Sequence, residues 1–221
     1  MIDQSNRGLA SARNRAIATA QGCYILPLDA DNRLRHGYIE QAVHILKTQP
    51  AIGVIYSDCQ EFGLYTRRRV VPQFNLEAQL QGPSIDACAV FRKELWADCG
   101  GYDPTLPAWE DWEFWIHAAQ EGWQFHHLPE VLFDYRVRPN SMGWTLSVPE
   151  VKRIMTVIWR KHAMLYRQHL PQMQSEQQLI TQHARTWRRV QQRRRHSLLW
   201  RLRRLATGMK WLLRIYWPAT P

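Results

Sequence analysis

An apolar run, Tyr24-Ile25-Leu26-Pro27-Leu28, ends abruptly in Asp29-Ala30-Asp31-Asn32. The run has the length of a buried strand, with Pro27 the one residue that resists ladder pairing, and the polar residues close it with a turn. Upstream, Leu9, Ala12, Ala16 and Ala20 recur at helical spacing between Arg7 and Gln21, and Gly22 ends that pattern. Downstream, Ile39, Val43 and Leu46 predict a helix over 36–49, and Ile52-Gly53-Val54-Ile55-Tyr56 reads as a second buried strand. This alternation predicts an α/β sheet with a parallel portion. Ligands of such sheets sit off the carboxyl ends of the strands, which is where Asp29 and Asp31 fall.

Beyond the second strand the pattern is irregular from Glu61 to Pro83, with Tyr65 to Val71 as one arm of a hairpin and Asn75 to Gly82 as loop. Ala87 to Phe91 reads as a strand, Lys93 to Cys99 as a short helix closed by Gly100-Gly101, and Trp109 to Gln120 as a helix stopped by Gly122. Trp123 to His127 and Val131 to Arg136 are predicted as two last strands. After Pro149 the chain is helical in character. Gln172 to Gln182 is glutamine-rich and reads as a linker or solvated helix, and Ser197 to Trp217 as an amphipathic basic helix. The expected organisation is therefore one α/β domain over 1–149 and a helical, basic extension over 150–221.

Composition narrows the function classes. With 221 residues, 45% of them hydrophobic, the chain can bury a real core and is neither a disordered tail nor a fibre. Cys23, Cys59, Cys88 and Cys99 form no CxxC pair and have no histidine at metal-ligand spacing, so neither a zinc site nor a disulfide framework is indicated, and a reducing cytosol suits them. Neither a secretory leader nor a membrane-spanning stretch is expected from the pattern of apolar residues. The net charge of +10 is unevenly placed: eleven Lys and Arg and no acid follow position 184, whereas the preceding residues balance 18 basic groups against 19 acids. The body is near neutral and the tail carries the charge.

The acidic motifs each admit two readings. Asp29 and Asp31 form either an ordinary turn pair or two carboxylates able to hold a hard divalent cation through oxygen. Glu110-Asp111 opens a helix, where the macrodipole favours ionised acids whether or not they take part in chemistry. Four local sequences taken in order resolve the ambiguity: Asn6-Arg7-Gly8-Leu9-Ala10-Ser11-Ala12-Arg13-Asn14; Asp29-Ala30-Asp31-Asn32; Gly100-Gly101-Tyr102-Asp103 with Trp109-Glu110-Asp111-Trp112; and Tyr135-Arg136 followed by Ser141. In that order, over residues 1 to about 145, the chain closely resembles family 2 glycosyltransferases of the GT-A fold.

The resemblance implies a Rossmann-like mixed sheet with flanking helices. It also implies an inverting transfer from a nucleotide-sugar donor to an acceptor hydroxyl, in polysaccharide or glycolipid synthesis. Asp31 is then the metal ligand for Mn2+ or Mg2+, Asp29 its nucleotide-side partner, Arg13 a contact to the donor, and Asp111 the general base, with Glu110 beside it. Trp109 is the aromatic residue expected on the acceptor, although Trp109, Trp112 and Trp115 are also spaced as core residues are. Arg13 fits a solvated helical arginine equally well.

The chain departs from the family pattern twice. Where the family often reads Tyr-Arg-x-His, this chain has Arg138, which offers no lone pair to a metal but can pair with phosphate. The β-α-β unit that normally opens such domains is also expected to be missing, which leaves an inactive, truncated relic as an alternative. The basic tail suggests a peripheral place on the anionic inner face of the membrane, with Trp200, Trp211 and Trp217 at headgroup level, or a helix packed on the body. A non-enzymatic binder of polyanions is the remaining alternative. Nucleic acid is an unlikely partner, because the acidic motifs would repel its backbone.

Overall fold

The computed structural model describes residues 2–138 and 145–192. Helix α1 (Leu9–Thr19) leads into β1 (Tyr24–Ile25), β2 (Arg33–Leu34) and α2 (Tyr38–Thr48). Strand β3 (Ile52–Gly63) is followed by β4 (Arg67–Arg69), α3 (Leu76–Gln81), β5 (Val90–Arg92) and α4 (Lys93–Asp98). Helix α5 (Glu110–Gln120), strand β6 (Gln124–Val137) and helix α6 (Val148–His169) complete the named elements. Residues 176–192 form a further helix, α7.

The strands make one sheet in the order β1-β5-β3-β6-β2, with β4 paired to β3. Only the β3–β6 pair is parallel; β1–β5, β3–β5, β2–β6 and β3–β4 are antiparallel. The sheet is mixed, as the alternating pattern predicts. Both of its faces are covered, which is why the first part of β3, Ile52 to Tyr56, reads as an unbroken apolar run. Val54 and Tyr56 point to the side of α1 and α5, packing with Ile17, Phe91, Phe114 and Trp115. Ile55 and Cys59 point to the side of α2, packing with Tyr38, Ala42 and Leu46.

Three expectations are corrected. Asn75 to Gly82 holds helix α3 rather than a loop: the Asn75 side chain accepts the Ala78 amide at 2.8 Å as an N-cap, and Leu80 is fully buried. The two last strands are one strand, β6, whose register against β3 jumps from Ser57↔Leu128 to Asp58↔Val131. Pro129 and Glu130 are the extra residues, and Pro129 cannot donate to a ladder. The glutamine-rich stretch is no linker, since Met173, Leu179 and Ile180 pack with Leu80, Trp112, Ile116 and Ile158 in a core shared by α3, α5, α6 and α7. The helical segment thus begins at Val148, capped by Ser147 and Glu150, and lies against α5 without a break in the packing. The amphipathic stretch Ser197 to Trp217 and Ser141 lie outside the described residues.

Asn14 accounts for the joint presence of two of the sequence motifs. From α1 its Oδ1 accepts the Trp96 indole N–H at 3.0 Å and the Tyr102 amide at 2.8 Å, while its Nδ2 donates to the Tyr102 carbonyl at 2.7 Å. The Gly100-Gly101 turn, at φ 68° and 83°, makes this approach possible, because a Cβ on Gly101 would stand 2.8 Å from Asn14 Oδ1. Gly101→Ala is therefore expected to cost about 1–3 kcal/mol. Thermal unfolding followed by circular dichroism should show a Tm lower by about 3–10 °C.

Candidate functional site

The sequence motifs converge on one cleft of about 850 Å³. Arg13, Asp29, Asp31, Trp109, Glu110, Asp111 and Arg138, the seven residues expected to bind or catalyse, all line it. Arg13 reaches across from α1 and holds two acids at once, Asp29 Oδ1 at 2.9 Å through Nη2 and Glu110 Oε1 at 2.6 Å through Nη1. Burial alone would push its guanidinium down, but Tyr102, Asp111, Glu110 and Asp29 around it hold it up, and it stays charged.

The acidic pair sits in a tight turn after β1. The Asn32 amide donates to the Asp29 carbonyl at 3.0 Å, and Asn32 Oδ1 accepts the Arg136 amide at 3.0 Å, pinning the turn to the end of β6. Arg138 meets the Asp31 carboxylate through Nε and Nη2, both on Oδ2. No cluster of three or more His, Cys, Asp or Glu able to hold a metal occurs among the described residues. The donors suit Mg2+ or Mn2+ only in the way these ions are commonly held at phosphates, by one or two carboxylates with phosphate oxygens and water making up the shell. Asp31 supplies such a carboxylate, and Arg138 meets it through Oδ2, on the side away from Oδ1, the oxygen that would face a cation.

Opposite the turn, α5 begins with Glu110 and Asp111. Glu110 is buried and committed to Arg13. Asp111 is half-buried, and its Oδ1 accepts the Trp112 amide at 2.8 Å. Loss of hydration pushes the Asp111 carboxyl up to about 7; the charges of Glu110 and Asp86 push the same way, while Arg13 and the Trp112 amide oppose them. Behind the site α5 is anchored to α6 by Glu113, fully buried between Lys161 Nζ and His162 Nε2, each at 2.8 Å.

Trp109, the residue before α5, has φ 61°, the one positive φ among described non-glycine residues. That backbone sets its indole edge-on to Trp112 at 5.8 Å and Trp187 at 5.4 Å. Trp187 belongs to α7, which supplies His183, Thr186 and Val190 to the same wall. Its indole N–H is tied to the Leu146 carbonyl at 2.8 Å. Burial pushes His183 down to about 4, so the ring is neutral, and its Nε2 meets no hydrogen-bond partner among the described residues. Arg69 and Asp86, paired at 3.0 Å, complete the floor with Tyr135.

The reading from sequence did not include Arg69, Asp86, His183, Thr186 or Trp187. The α7 residues had a usable signal: Ile180, His183, Ala184 and Trp187 recur at helical spacing from the end of the glutamine-rich stretch onward. Arg69 and Asp86 had none, since a charged residue in a short strand or loop has no distinctive pattern.

The mixed sheet with helices on both faces has the GT-A fold. Solved structures agree: the crystal structure of S. aureus TarS 1-349 in complex with UDP superposes at a TM-score of 0.52, with 16% identity over 69% of this chain and 44% of that one. Residues 1–96 match the family model described as glycosyl transferase family 2. An uncharacterized glycosyltransferase of Methanocaldococcus jannaschii is 26% identical over 162 residues, covering 68% of this chain and 54% of that protein. An uncharacterized protein of Sinorhizobium fredii is 25% identical over 143 residues, 62% of this chain and 16% of its own length. Over the stretches matched the chain is similar to glycosyl transferase family 2. It spans 54% or less of each of these proteins.

Because Asp111 is held protonated more readily in the folded chain than in the unfolded one, its contribution to stability is full below the unfolded carboxyl range and is lost as pH rises through about 7. Asp111→Asn is therefore expected to raise Tm more at pH 8 than at pH 5, measured by calorimetry in matched buffers. Equal shifts at both pH values would contradict the raised carboxyl.

Proposed function

We propose that the cleft transfers a sugar from a nucleotide-diphosphate donor to an acceptor hydroxyl in a single inverting displacement. The observation that carries this reading is the Arg13 bridge, which brings the Asp29–Asp31 turn and the Glu110–Asp111 helix start to one cavity. The UDP bound to TarS supports a nucleoside diphosphate as the donor's leaving group.

The donor diphosphate lies against the acidic turn. A divalent cation held there by Asp31, when bound, supplies positive charge to the departing phosphate oxygens. Arg138, already at Asp31, offers a guanidinium to the same oxygens. Asp111, ionised, accepts the proton of the acceptor hydroxyl as its oxygen bonds to the anomeric carbon, and the bond from that carbon to the diphosphate oxygen breaks with its electron pair leaving on the diphosphate. Glu110 acts through Arg13, holding that guanidinium against Asp29. Trp109 and Trp187 present aromatic surface to the apolar face of an acceptor sugar, and His183 Nε2 meets one of its hydroxyls. A glycan or glycolipid acceptor fits such a wall.

The test is donor turnover against a panel of nucleotide sugars with Mn2+ or Mg2+. Asp111→Asn is expected to lower turnover by about 10²–10⁴-fold while donor binding persists. Since Asp111 must be ionised to take the proton, kcat/KM should be low below pH 7 and level off above it. Turnover that is indifferent to Asp111→Asn would overturn the base assignment.

A further inference from the structure

The fully buried tyrosines of this chain use their hydroxyls inside the fold. Tyr38 donates to the Cys88 carbonyl at 2.9 Å, Tyr56 to the Pro72 carbonyl at 2.9 Å and Tyr166 to the Leu80 carbonyl at 3.0 Å. Tyr135, half-buried near the end of β6, is the tyrosine on the cleft wall. Its hydroxyl has no hydrogen-bond partner among the described residues.

The ring, by contrast, is fixed. The Arg69 guanidinium carbon lies 5.1 Å from its centroid, a cation-π contact. Arg69 is held in turn by Asp86, Nη2 to Oδ2 at 3.0 Å, and the Cys88 amide donates to Asp86 Oδ1 at 3.0 Å. The register explains the meeting: Arg69 is opposite Cys59 across β3–β4, Tyr135 is opposite Glu61 across β3–β6, and Cys59 and Glu61 share one face of β3. Arg69 and Tyr135 therefore leave the sheet on the same side, with only β3 between them.

Burial holds the Tyr135 hydroxyl above the ordinary phenol range, and the charges of Asp86, Asp29 and Asp111 act the same way against Arg69. The hydroxyl stays protonated, in the field of both the acidic turn and the start of α5. In the transferase reading the diphosphate lies at that turn and the acceptor hydroxyl at Asp111, so the sugar in transit passes between them, where this phenol stands. A neutral hydroxyl that both donates and accepts suits a sugar hydroxyl. Asp86, facing the same space, already has one oxygen on Arg69 and the other on the Cys88 amide. We propose that Tyr135 hydrogen-bonds a hydroxyl of the transferred sugar and so helps to select the donor, with Arg69 and Asp86 as positioning residues that fix its ring. A sugar lacking that hydroxyl leaves the phenol without a partner and is bound less well. The inference rests on the transferase reading.

The experiment is calorimetric binding, with Mn2+, of UDP, UDP-glucose, UDP-galactose and UDP-N-acetylglucosamine to the whole chain and to Tyr135→Phe, which keeps the ring under Arg69. Monodeoxy analogues of the sugar nucleotide that binds best complete the set. Tyr135→Phe is expected to weaken that sugar nucleotide about tenfold more than it weakens UDP. In the parent, the analogue lacking the contacted hydroxyl should bind about tenfold worse than the intact nucleotide, and in Tyr135→Phe that penalty should vanish. Arg69→Gln should lower the ratio of sugar-nucleotide to UDP affinity in the parent but not further in the Tyr135→Phe background, a pattern that general loss of fold does not produce. A ratio that Tyr135→Phe leaves intact, or deoxy penalties that all survive it, would overturn the sugar contact and leave the transferase reading standing. A further fall on adding Arg69→Gln would overturn the positioning role. Should the parent bind UDP but none of the sugar nucleotides, the transferase reading falls and the contact with it.

Discussion

The Arg13 guanidinium is the contact on which the site depends. It joins a helix near the start of the chain to an acid 16 positions on and another 97 positions on. Nothing in the backbone ladder ties the Asp29 turn to α5; β1 pairs only with β5, and α5 packs through its apolar face. The charges do so instead. Glu110 is 4% exposed and has no water to fall back on, so losing the guanidinium would strand a buried carboxylate, at a cost of about 3–5 kcal/mol. The Asn14 clamp one residue on keeps α1 in the register this bridge requires.

The bridge also explains why Asp111 differs from its neighbours. The cleft wall carries Asp29, Asp31, Asp86, Glu110 and Asp111 against Arg13, Arg69, Arg136 and Arg138. Three of those arginines are committed, Arg13 to Asp29 and Glu110, Arg69 to Asp86 and Arg138 to Asp31. Asp111 is the carboxylate left without a cation in contact. It keeps the electrostatic penalty of its position, and that penalty holds its carboxyl up to about 7. Ionising this residue therefore costs the fold stability.

How far the sequence shows this depends on whether a feature is local. Asp29, Asp31, Glu110 and Asp111 were legible because each follows or opens an element with a clear period, and Gly100 and Gly101 because their turn chemistry is distinctive. The pairing of Arg13 with Glu110 was not, since a contact across 97 positions leaves no mark on either neighbourhood. Helix α3 was hidden by its brevity, six residues whose start rests on a single Asn75 cap. Strand β6 was split in the reading by Pro129 and Glu130, which the sheet absorbs as a register jump beside the buried Asp58. In α7 the polar composition concealed a regular apolar face, because glutamine on the outer side outweighed Leu179, Ile180 and Trp187 on the inner one.

That last concealment bears on how the site is divided. The acidic turn and Arg13 come from the first 31 residues, whereas the aromatic and imidazole wall comes from α7, beyond position 175. The two halves meet only because α3, α5, α6 and α7 share one core, in which Trp112 donates its indole N–H to the Gln79 carbonyl and Tyr166 its hydroxyl to the Leu80 carbonyl. Changes on the cleft side of α7 can therefore alter what is presented to Asp111 without touching the acidic turn, while changes on its core side, at Leu179 or Ile180, act on Trp112 and through it on the start of α5. A wall built this way lets its α7 side vary by substitution at His183, Thr186 and Trp187, with the Asp29 turn held to α5 by Arg13.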